Sequence, residues 1–188
     1  MMRDFAMLAA RAASEIGDAV QRVDPAALDA MVRELARARR IVAYGVGREG
    51  LMMRAFAMRL YHIGLDAHVV GDMSCPPVGK GDLLVVSAGP GAFSTVTGLV
   101  GVAKRAGARV ACVTAVPDGA TAKAAHQVLV IPAQTMANDQ GPAAASVLPM
   151  GSLFEGAQYL TFELLILALR DYQGVDPAAM RARHTNLE

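Results

Sequence analysis

Residues 41–50 read IVAYGVGREG, and this stretch decides the fold. Its four leading apolar residues, Ile41–Tyr44, have no polar alternation, which predicts a strand buried on both faces. The glycines after them predict a tight turn, and Leu51–Ile63 then has the spacing of a helix that is apolar on more than one face. A buried strand that turns through glycines into a helix is the repeating unit of parallel α/β sheets.

The same alternation continues along the chain. Four more apolar runs predict strands, and two longer amphipathic stretches predict the helices Thr95–Arg105 and Gly151–Tyr172. The four further strands are Ala67–Val70, Leu83–Ser87, Val110–Thr114 and Val128–Ile131. We therefore predict a three-layer α/β/α sandwich of the flavodoxin or Rossmann kind, with a five-stranded parallel sheet.

Two helices are predicted before the first strand, within residues 1–38. Apolar positions from Phe5 to Val20 share one helical face, and Asp24-Pro25 opens the second helix with an N-cap acceptor and a first-turn proline. Two leading helices are unusual for a nucleotide-binding unit, and packing on a partner subunit would explain them. We expect a single domain over residues 1–188, with a tail from residue 173.

Composition restricts the function classes. The chain is 54% hydrophobic and 19% charged, which excludes disorder, and its net charge of +1 gives no reason to expect a nucleic acid partner. The strongly apolar run Leu164–Leu169 is too short to span a bilayer, so no membrane partner is expected. Cys75 and Cys112 lack zinc or disulfide spacing, so we expect no metal site and a reduced, cytoplasmic protein. The high apolar content favours an oligomer interface.

Three turns are candidate binding segments, since ligands of parallel sheets bind at the carboxyl ends of strands. The first, Gly45–Gly50, fits Gly-x-Gly-x-x-Gly, but Asp66 and Asp72 are poorly placed to bind a ribose, which disfavours a nucleotide. The second, Ser87–Thr95, carries three hydroxyl groups, and we expect Ser94 to cap the next helix. The third, Gly151–Glu155, has a carboxylate in a first helical turn. Each turn also has a purely structural explanation, as a tight, capped or dipole-stabilised turn.

Six stretches together carry a resemblance to a known family. They are Tyr44–Arg48, Ala55–Gly64, Val69–Asp72, Gly79–Leu84, Leu148–Glu155 and the tail Arg183–Glu188. They resemble the sugar isomerase (SIS) domain, and within it the 6-phospho-3-hexuloisomerases. The similarity covers nearly the whole chain, and its most specific parts are the predicted helix Ala55–Gly64 and the tail.

The resemblance implies a function. It implies a dimer of dimers that converts a 3-keto hexose 6-phosphate to fructose 6-phosphate, without a metal or an organic cofactor. Proton transfer through an enediol needs a base at carbon and a second acid/base at oxygen. Glu155 fits the first role, and His184, reaching in from a neighbouring subunit, fits the second. His62 is a further candidate. The expected substrate-binding residues are Gly45, Gly47, Arg48, Glu49, Ser87, Gly89, Gly91, Ser94, Thr95 and Ser152.

Two turns depart from the family pattern. The family's first turn reads Gly-x-Gly-Arg-Ser-Gly and its serine binds phosphate, whereas this chain has Glu49 there. The family's second turn reads Ser-Gly-Ser-Gly-Glu-Thr, and here its second serine has become Gly89 and its acid Ala92. A carboxylate beside a phosphate is repulsive. Either the remaining hydroxyls, Arg48 and backbone N–H groups still hold an anion, or Glu49 accepts hydrogen bonds from sugar hydroxyls.

Two functions therefore remain in view. The first is a sugar phosphate isomerase of the hexuloisomerase type. The alternative is a divergent SIS protein that acts on or senses a different sugar or sugar acid, possibly one without a phosphate. Glu155 and His184 favour the isomerase, and the altered phosphate turn favours the alternative.

Overall fold

The computed structural model describes residues 4–141 and 144–187. Strands and helices alternate after two leading helices, as the sequence predicts. In chain order the elements are α1 (Phe5–Gln21), α2 (Pro25–Arg37), β1 (Ile41–Tyr44), α3 (Gly47–His62), β2 (Ala67–Val69), β3 (Leu83–Ser87), α4 (Ser94–Arg105), β4 (Arg109–Thr114), α5 (Ala120–Ala124), β5 (Gln127–Val130), α6 (Ser152–Gln173) and α7 (Pro177–Ala182).

The five strands form one parallel sheet in the order β2-β1-β3-β4-β5. The central strand β3 is buried along its whole length, which explains its unbroken apolar sequence. The predicted α/β class and the five-stranded parallel sheet are confirmed. The chain places β2 on one side of β1 and β3 on the other, so the strand order reverses between β1 and β3. Open α/β sheets bind ligands outside the carboxyl ends of the two strands at such a reversal point.

The helices cover the sheet unequally. One apolar cluster joins α1, α2, α3 and α6 to one face, and a smaller cluster joins α4 to the other. Alternate residues of β3 divide between the clusters: Leu83 and Val85 belong to the first, Leu84 and Val86 to the second. The sheet is therefore dry on both faces, and most of the core lies under the longest helix, α6.

Helix α6 is the one described helix that is long and apolar enough to cross a membrane by length and composition. Half of that apolar window is buried inside the protein. Phe154, Phe162 and Leu169 are among the core residues on its inner side, and Phe162 stacks on Phe56 of α3 at 4.3 Å between ring centroids. Helix α6 therefore serves as the core helix of this sandwich.

The predicted bounds of β2, β4, β5 and α6 differ from the observed bounds by one residue, and three larger details also differ. Helix α3 begins at Gly47, four residues before the predicted Leu51, because the glycine turn itself forms the first helical turn. The short helix α5 was not predicted, since five residues are too few for a periodic signal. The prediction that Ser94 caps α4 is wrong. Phe93 occupies the cap position without a side-chain hydrogen bond, and Ser94 is the first helical residue.

Candidate active site

A cavity of about 380 Å³ lies at the reversal point between β1 and β3. Its walls come from the first two turns, from the start of α6 and from the segment before α6. The charged groups in it are Arg48, Glu49 and Glu155, and the other walls are mostly apolar. The lining residues are Val46, Gly47, Arg48, Glu49, Pro90, Phe93, Thr135, Met136, Met150, Gly151, Phe154 and Glu155.

The first turn depends on the close approach of two glycines. A Cβ on Gly50 would lie 2.5 Å from the carbonyl oxygen of Gly45, and a Cβ on Gly45 would lie 2.9 Å from the nitrogen of Gly50. Gly47 adopts φ +57°, a left-handed conformation that favours glycine. Gly45 and Gly50 therefore shape the turn, while Gly47, Arg48 and Glu49 face the cavity.

Glu49 connects the first turn to the second. Its Oε2 accepts hydrogen bonds from the Ser87 hydroxyl and from the backbone N–H of Gly89, the latter at 2.9 Å. Ser87 in turn accepts a bond of 2.8 Å from Nε2 of Gln158 on α6. Glu49 itself is only 7% exposed. The Glu49 carboxylate is thus held at the carboxyl end of β3 by two donors.

Burial has the largest effect on the pKa of Glu49. Removal from water raises the pKa above the usual glutamate value, the bonds from Ser87 and Gly89 lower it, and the charge of Glu155 raises it further. The net direction is upward. Glu49 therefore takes up a proton more readily than an exposed glutamate does.

Gly89 makes room for Glu49. A Cβ on Gly89 would lie 2.8 Å from Oε1 of Glu49 and 2.8 Å from the Phe154 ring. Both distances are shorter than real Cβ contacts, so a larger residue at position 89 would force the Glu49 carboxylate or the Phe154 ring to move. The two departures from the family pattern, at positions 49 and 89, are in direct contact.

Glu155 stands in the first turn of α6, across the cavity from the turn after β1. Arg48 spans the gap: its Nη2 lies 2.7 Å from Oε2 of Glu155, and its Nη1 donates to the Ser152 hydroxyl at 3.0 Å. The Arg48–Glu155 contact is an ion pair without hydrogen-bond geometry, so the buried Oε2 has no hydrogen-bond donor. The site thus contains a carboxylate oxygen that can accept a proton.

The pKa of Glu155 is also raised. Burial raises it, and the nearby Arg48 guanidinium lowers it by a smaller amount. A carboxylate with a raised pKa is a stronger base than an exposed one, which suits it to removing a proton from carbon.

Other expected binding residues lie outside the cavity lining. Ser94 and Thr95 are exposed in the first turn of α4, and Pro90 and Phe93 are the residues of the second turn that line the cavity. Gly91, at φ +101°, packs against Gly119 and Val116 instead. The structure therefore brings Gly47, Arg48, Glu49 and Glu155 together, with Ser87, Gly89 and Ser152 bonded to them.

His62 and His184 lie together at the opposite end of α3. Their ring centroids are 5.5 Å apart, and Arg183 donates to the carbonyl oxygen of His62 at 3.1 Å. Since α3 runs from Gly47 to His62, this cluster is about 22 Å from the cavity. Within one chain His184 and Glu155 do not share a cavity, and the contribution of His184 to a neighbouring subunit stays a prediction.

Sequence reasoning missed part of the site. Gln158, which holds Ser87, is one helical turn beyond Glu155, so the i, i+3 spacing on α6 could have revealed it. Thr135, Met136 and Met150 reach the cavity from the long segment after β5. Their contribution has no signal in the sequence beyond the length of that segment, part of which, residues 142–143, lies outside the described residues.

Comparison with known proteins agrees with this geometry. The model of the SIS domain family matches residues 34–155, well over half of the chain. The chain belongs to the SIS domain family. The family expected from the sequence is confirmed, and the matched region ends at Glu155.

Several relatives of this SIS protein carry the name of one enzyme. A 3-hexulose-6-phosphate isomerase of Mycobacterium gastri is 38% identical, over 93% of this chain and 86% of the relative. One of Bacillus subtilis is 34% identical, over 85% and 86%. A crystal structure from Methanococcus jannaschii, for which a 3-hexulose-6-phosphate isomerase function was inferred, has a TM-score of 0.82 at 24% identity and covers 96% of this chain and 98% of its own. These names agree with the expected isomerase.

Proposed function

We propose that this SIS protein is a sugar phosphate isomerase that interconverts a 3-keto hexose 6-phosphate and fructose 6-phosphate. The observation that carries the proposal is the half-buried carboxylate of Glu155, which faces a cavity at the reversal point of the sheet. The names of the curated relatives support the same reaction. The family resemblance implies no cofactor for it.

The reaction moves a carbonyl group between C2 and C3. Glu155 removes the proton from C2 of the 3-keto sugar, which gives an enediolate between C2 and C3. The protonated Glu155 then returns a proton to C3, and transfer of the hydroxyl proton from O2 to O3 gives fructose 6-phosphate, so atoms and charge balance. Arg48 keeps Glu155 ionised before the reaction and lies close enough to stabilise the enediolate oxygen.

The oxygen-to-oxygen proton transfer requires a second acid/base. We assign it to His184 of a neighbouring subunit, carried by a tail formed by residues 173–188, with His62 as a further candidate. Exposed apolar side chains on α3 and α6 support an assembly of copies, as a dimer or a dimer of dimers. These side chains are Leu51, Met58, Tyr61, Tyr159, Leu160, Leu164 and Leu167.

We place the protein in the cytoplasm. Cys75 and Cys112 are both free thiols, which is the usual state in a reducing compartment. Sugar phosphates are cytoplasmic metabolites, and an isomerase of this class would meet its substrate there.

The variant E155Q tests the proposal. It keeps the size of the side chain and removes the base, so turnover of 3-hexulose 6-phosphate is expected to fall about 10²–10⁴-fold. The matched control is E163Q, the same change eight residues further along α6, where Glu163 pairs with Arg59. E163Q is expected to stay near the wild-type rate. Wild-type turnover by E155Q would refute the role of Glu155.

A second candidate function is a SIS protein that binds a sugar without this activity. One observation favours it: Glu49 occupies the donors of Ser87 and Gly89. If wild-type protein bound a sugar phosphate but turned over no hexulose phosphate, this candidate would replace the isomerase.

A further inference from the structure

Glu49 occupies the position at which the turn after β3 offers its hydrogen-bond donors. The Ser87 hydroxyl and the Gly89 N–H both donate to Oε2 of Glu49. Gln158 supports Ser87 from behind, and the Glu49 side chain is buried. The donors of this turn are therefore already bonded to an anion, which is the protein's own Glu49 carboxylate.

We infer that Glu49 is a specificity residue that excludes a phosphate group from the turn formed by residues 87–89 and accepts a hydrogen bond from a sugar hydroxyl there. The inference rests on the proposed function, since it names the part of the substrate that this end of the same cavity recognises. The inference leaves the reaction at Glu155 as proposed above. It adds that this end of the cavity binds an uncharged, hydroxyl-bearing carbon of a ketose.

Two physical reasons exclude the phosphate. A phosphate oxygen and the Glu49 carboxylate would compete for the same two donors, and both are negatively charged, so they repel each other. The cavity also offers little compensating charge. Its one guanidinium, Arg48, is already paired with Glu155, so two carboxylates face one cation. A hydroxyl group avoids both costs because it donates a hydrogen bond to the carboxylate.

The contact between positions 49 and 89 strengthens the inference. A Cβ at position 89 would lie 2.8 Å from Oε1 of Glu49, so a serine at 89 would require the Glu49 carboxylate or the Phe154 ring to shift. The glycine at 89 therefore suits the carboxylate at 49 in this turn.

The remaining walls agree with a sugar end that is not ionised. Phe93, Phe154 and Met150 line the same cavity as Glu49 and give it a mainly apolar surface. Apolar and aromatic surfaces pack well against the C–H face of a sugar, while one carboxylate fixes a hydroxyl group. A phosphate on the substrate, where present, lies away from the 87–89 turn.

Titration with inorganic phosphate tests the inference without depending on turnover. Four proteins are compared by thermal unfolding: wild type, E49S, E49S/G89S and the control E163S. Wild type and E163S are expected to show no stabilisation by millimolar phosphate, and E49S/G89S to be stabilised, since the freed donors bind the anion. Two results would overturn the inference. One is stabilisation of the wild type by phosphate that is lost in E49S, and the other is an absence of stabilisation by phosphate in every variant.

A second measurement covers the case in which E49S/G89S does not fold. E49Q removes the charge and replaces one carboxylate oxygen with an amide donor, so it is expected to bind phosphate more tightly than wild type, and equal or weaker binding would overturn the inference. Kinetics separate the two proposals. In E49S/G89S the ratio of kcat/KM for 3-hexulose 6-phosphate to that for the unphosphorylated 3-hexulose is expected to rise at least about tenfold over wild type. An unchanged or lower ratio contradicts the inference. If neither ketose is turned over, the proposed function fails, while the phosphate titration still decides the role of Glu49.

Discussion

The two ends of α3 differ in chemistry. At its first turn, Arg48 and Glu49 face a cavity that also contains Glu155. At its last turn, His62 lies against His184 and Arg183 from the end of the chain. One end therefore concentrates carboxylates and the other imidazole and guanidinium groups, about 22 Å away along the same helix.

The difference between the ends teaches that the cavity of one chain contains Glu155 but not His184 of the proposed acid/base pair. The carboxylate end has a cavity with buried groups whose pKa values are raised. The histidine end lies beside exposed apolar residues such as Met58 and Tyr61. An assembly that brings the histidine end of one copy to the carboxylate end of another would unite the pair, which makes the comparison testable.

Mixed oligomers give the largest expected effect. E155Q and H184N are each expected to lose about 10²–10⁴-fold in turnover. If each site combines Glu155 of one subunit with His184 of another, oligomers assembled from an equal mixture regain some intact sites. About a quarter of wild-type activity is then expected from a random pairwise assembly. The measurement is turnover after co-refolding of the two variants.

Two results of the mixing experiment would contradict this arrangement. Full activity of H184N alone would remove His184 from the reaction. Absence of recovery in the mixture, with mixed oligomers demonstrated by mass, would mean that the two ends do not meet between subunits.

The next effect concerns the backbone at the start of α3. G50A introduces a Cβ that would lie 2.5 Å from the Gly45 carbonyl oxygen, so the strand and the helix must move apart. We expect a loss of about 1–3 kcal/mol in the free energy of unfolding, measured with urea, together with lower activity. The control is G98A in α4, where no atom lies within 4 Å of the added Cβ. Helix propensity predicts that G98A is about 0.5–1 kcal/mol more stable than wild type. Equal stability of G50A and wild type would contradict the close contact.

The smallest effect is a shift along the pH axis. Glu155 acts as a base only when it is ionised. Because its pKa is raised, kcat/KM is expected to fall on acidification at a higher pH than it would with an exposed glutamate as the base. Arg48 opposes that rise, so R48Q is expected to raise the pKa further and move the acid limb to higher pH. R54Q is the control, because Arg54 lies on the same helix as Arg48 but pairs with Asp72 in the loop after β2. A shift of the limb to lower pH in R48Q would contradict the assignment.

The sequence predicted most of the fold because the strands are buried on both faces. Ile41–Tyr44 and Leu83–Ser87 have the predicted bounds, since an unbroken apolar run ends where burial ends. The Asp24 cap is also confirmed, with its carboxylate accepting the N–H of Ala26 at 2.9 Å. Such features depend on neighbouring residues in the chain, and local sequence is enough to reveal them.

The site was less predictable because its contacts join distant segments. Charge repulsion suggested that Glu49 was out of place beside a phosphate, yet only the fold shows that Ser87 and Gly89, about forty residues on, hold it. From the sequence, Gly89 was interpreted as the loss of a serine hydroxyl. In the structure, its lack of a side chain leaves room for the Glu49 carboxylate. His184 is a different case, since its proposed partner belongs to another copy of the chain.

Hydrogen exchange at the substrate tests most directly whether Glu155 moves the proton. Fructose 6-phosphate is incubated with the enzyme in D₂O, and deuterium at C3 is followed by NMR. Passage through an enediolate predicts that wild type introduces deuterium at C3 and that E155Q does so about 10²–10⁴-fold more slowly, with E163Q like wild type. Exchange at C3 by E155Q at the wild-type rate would contradict the account.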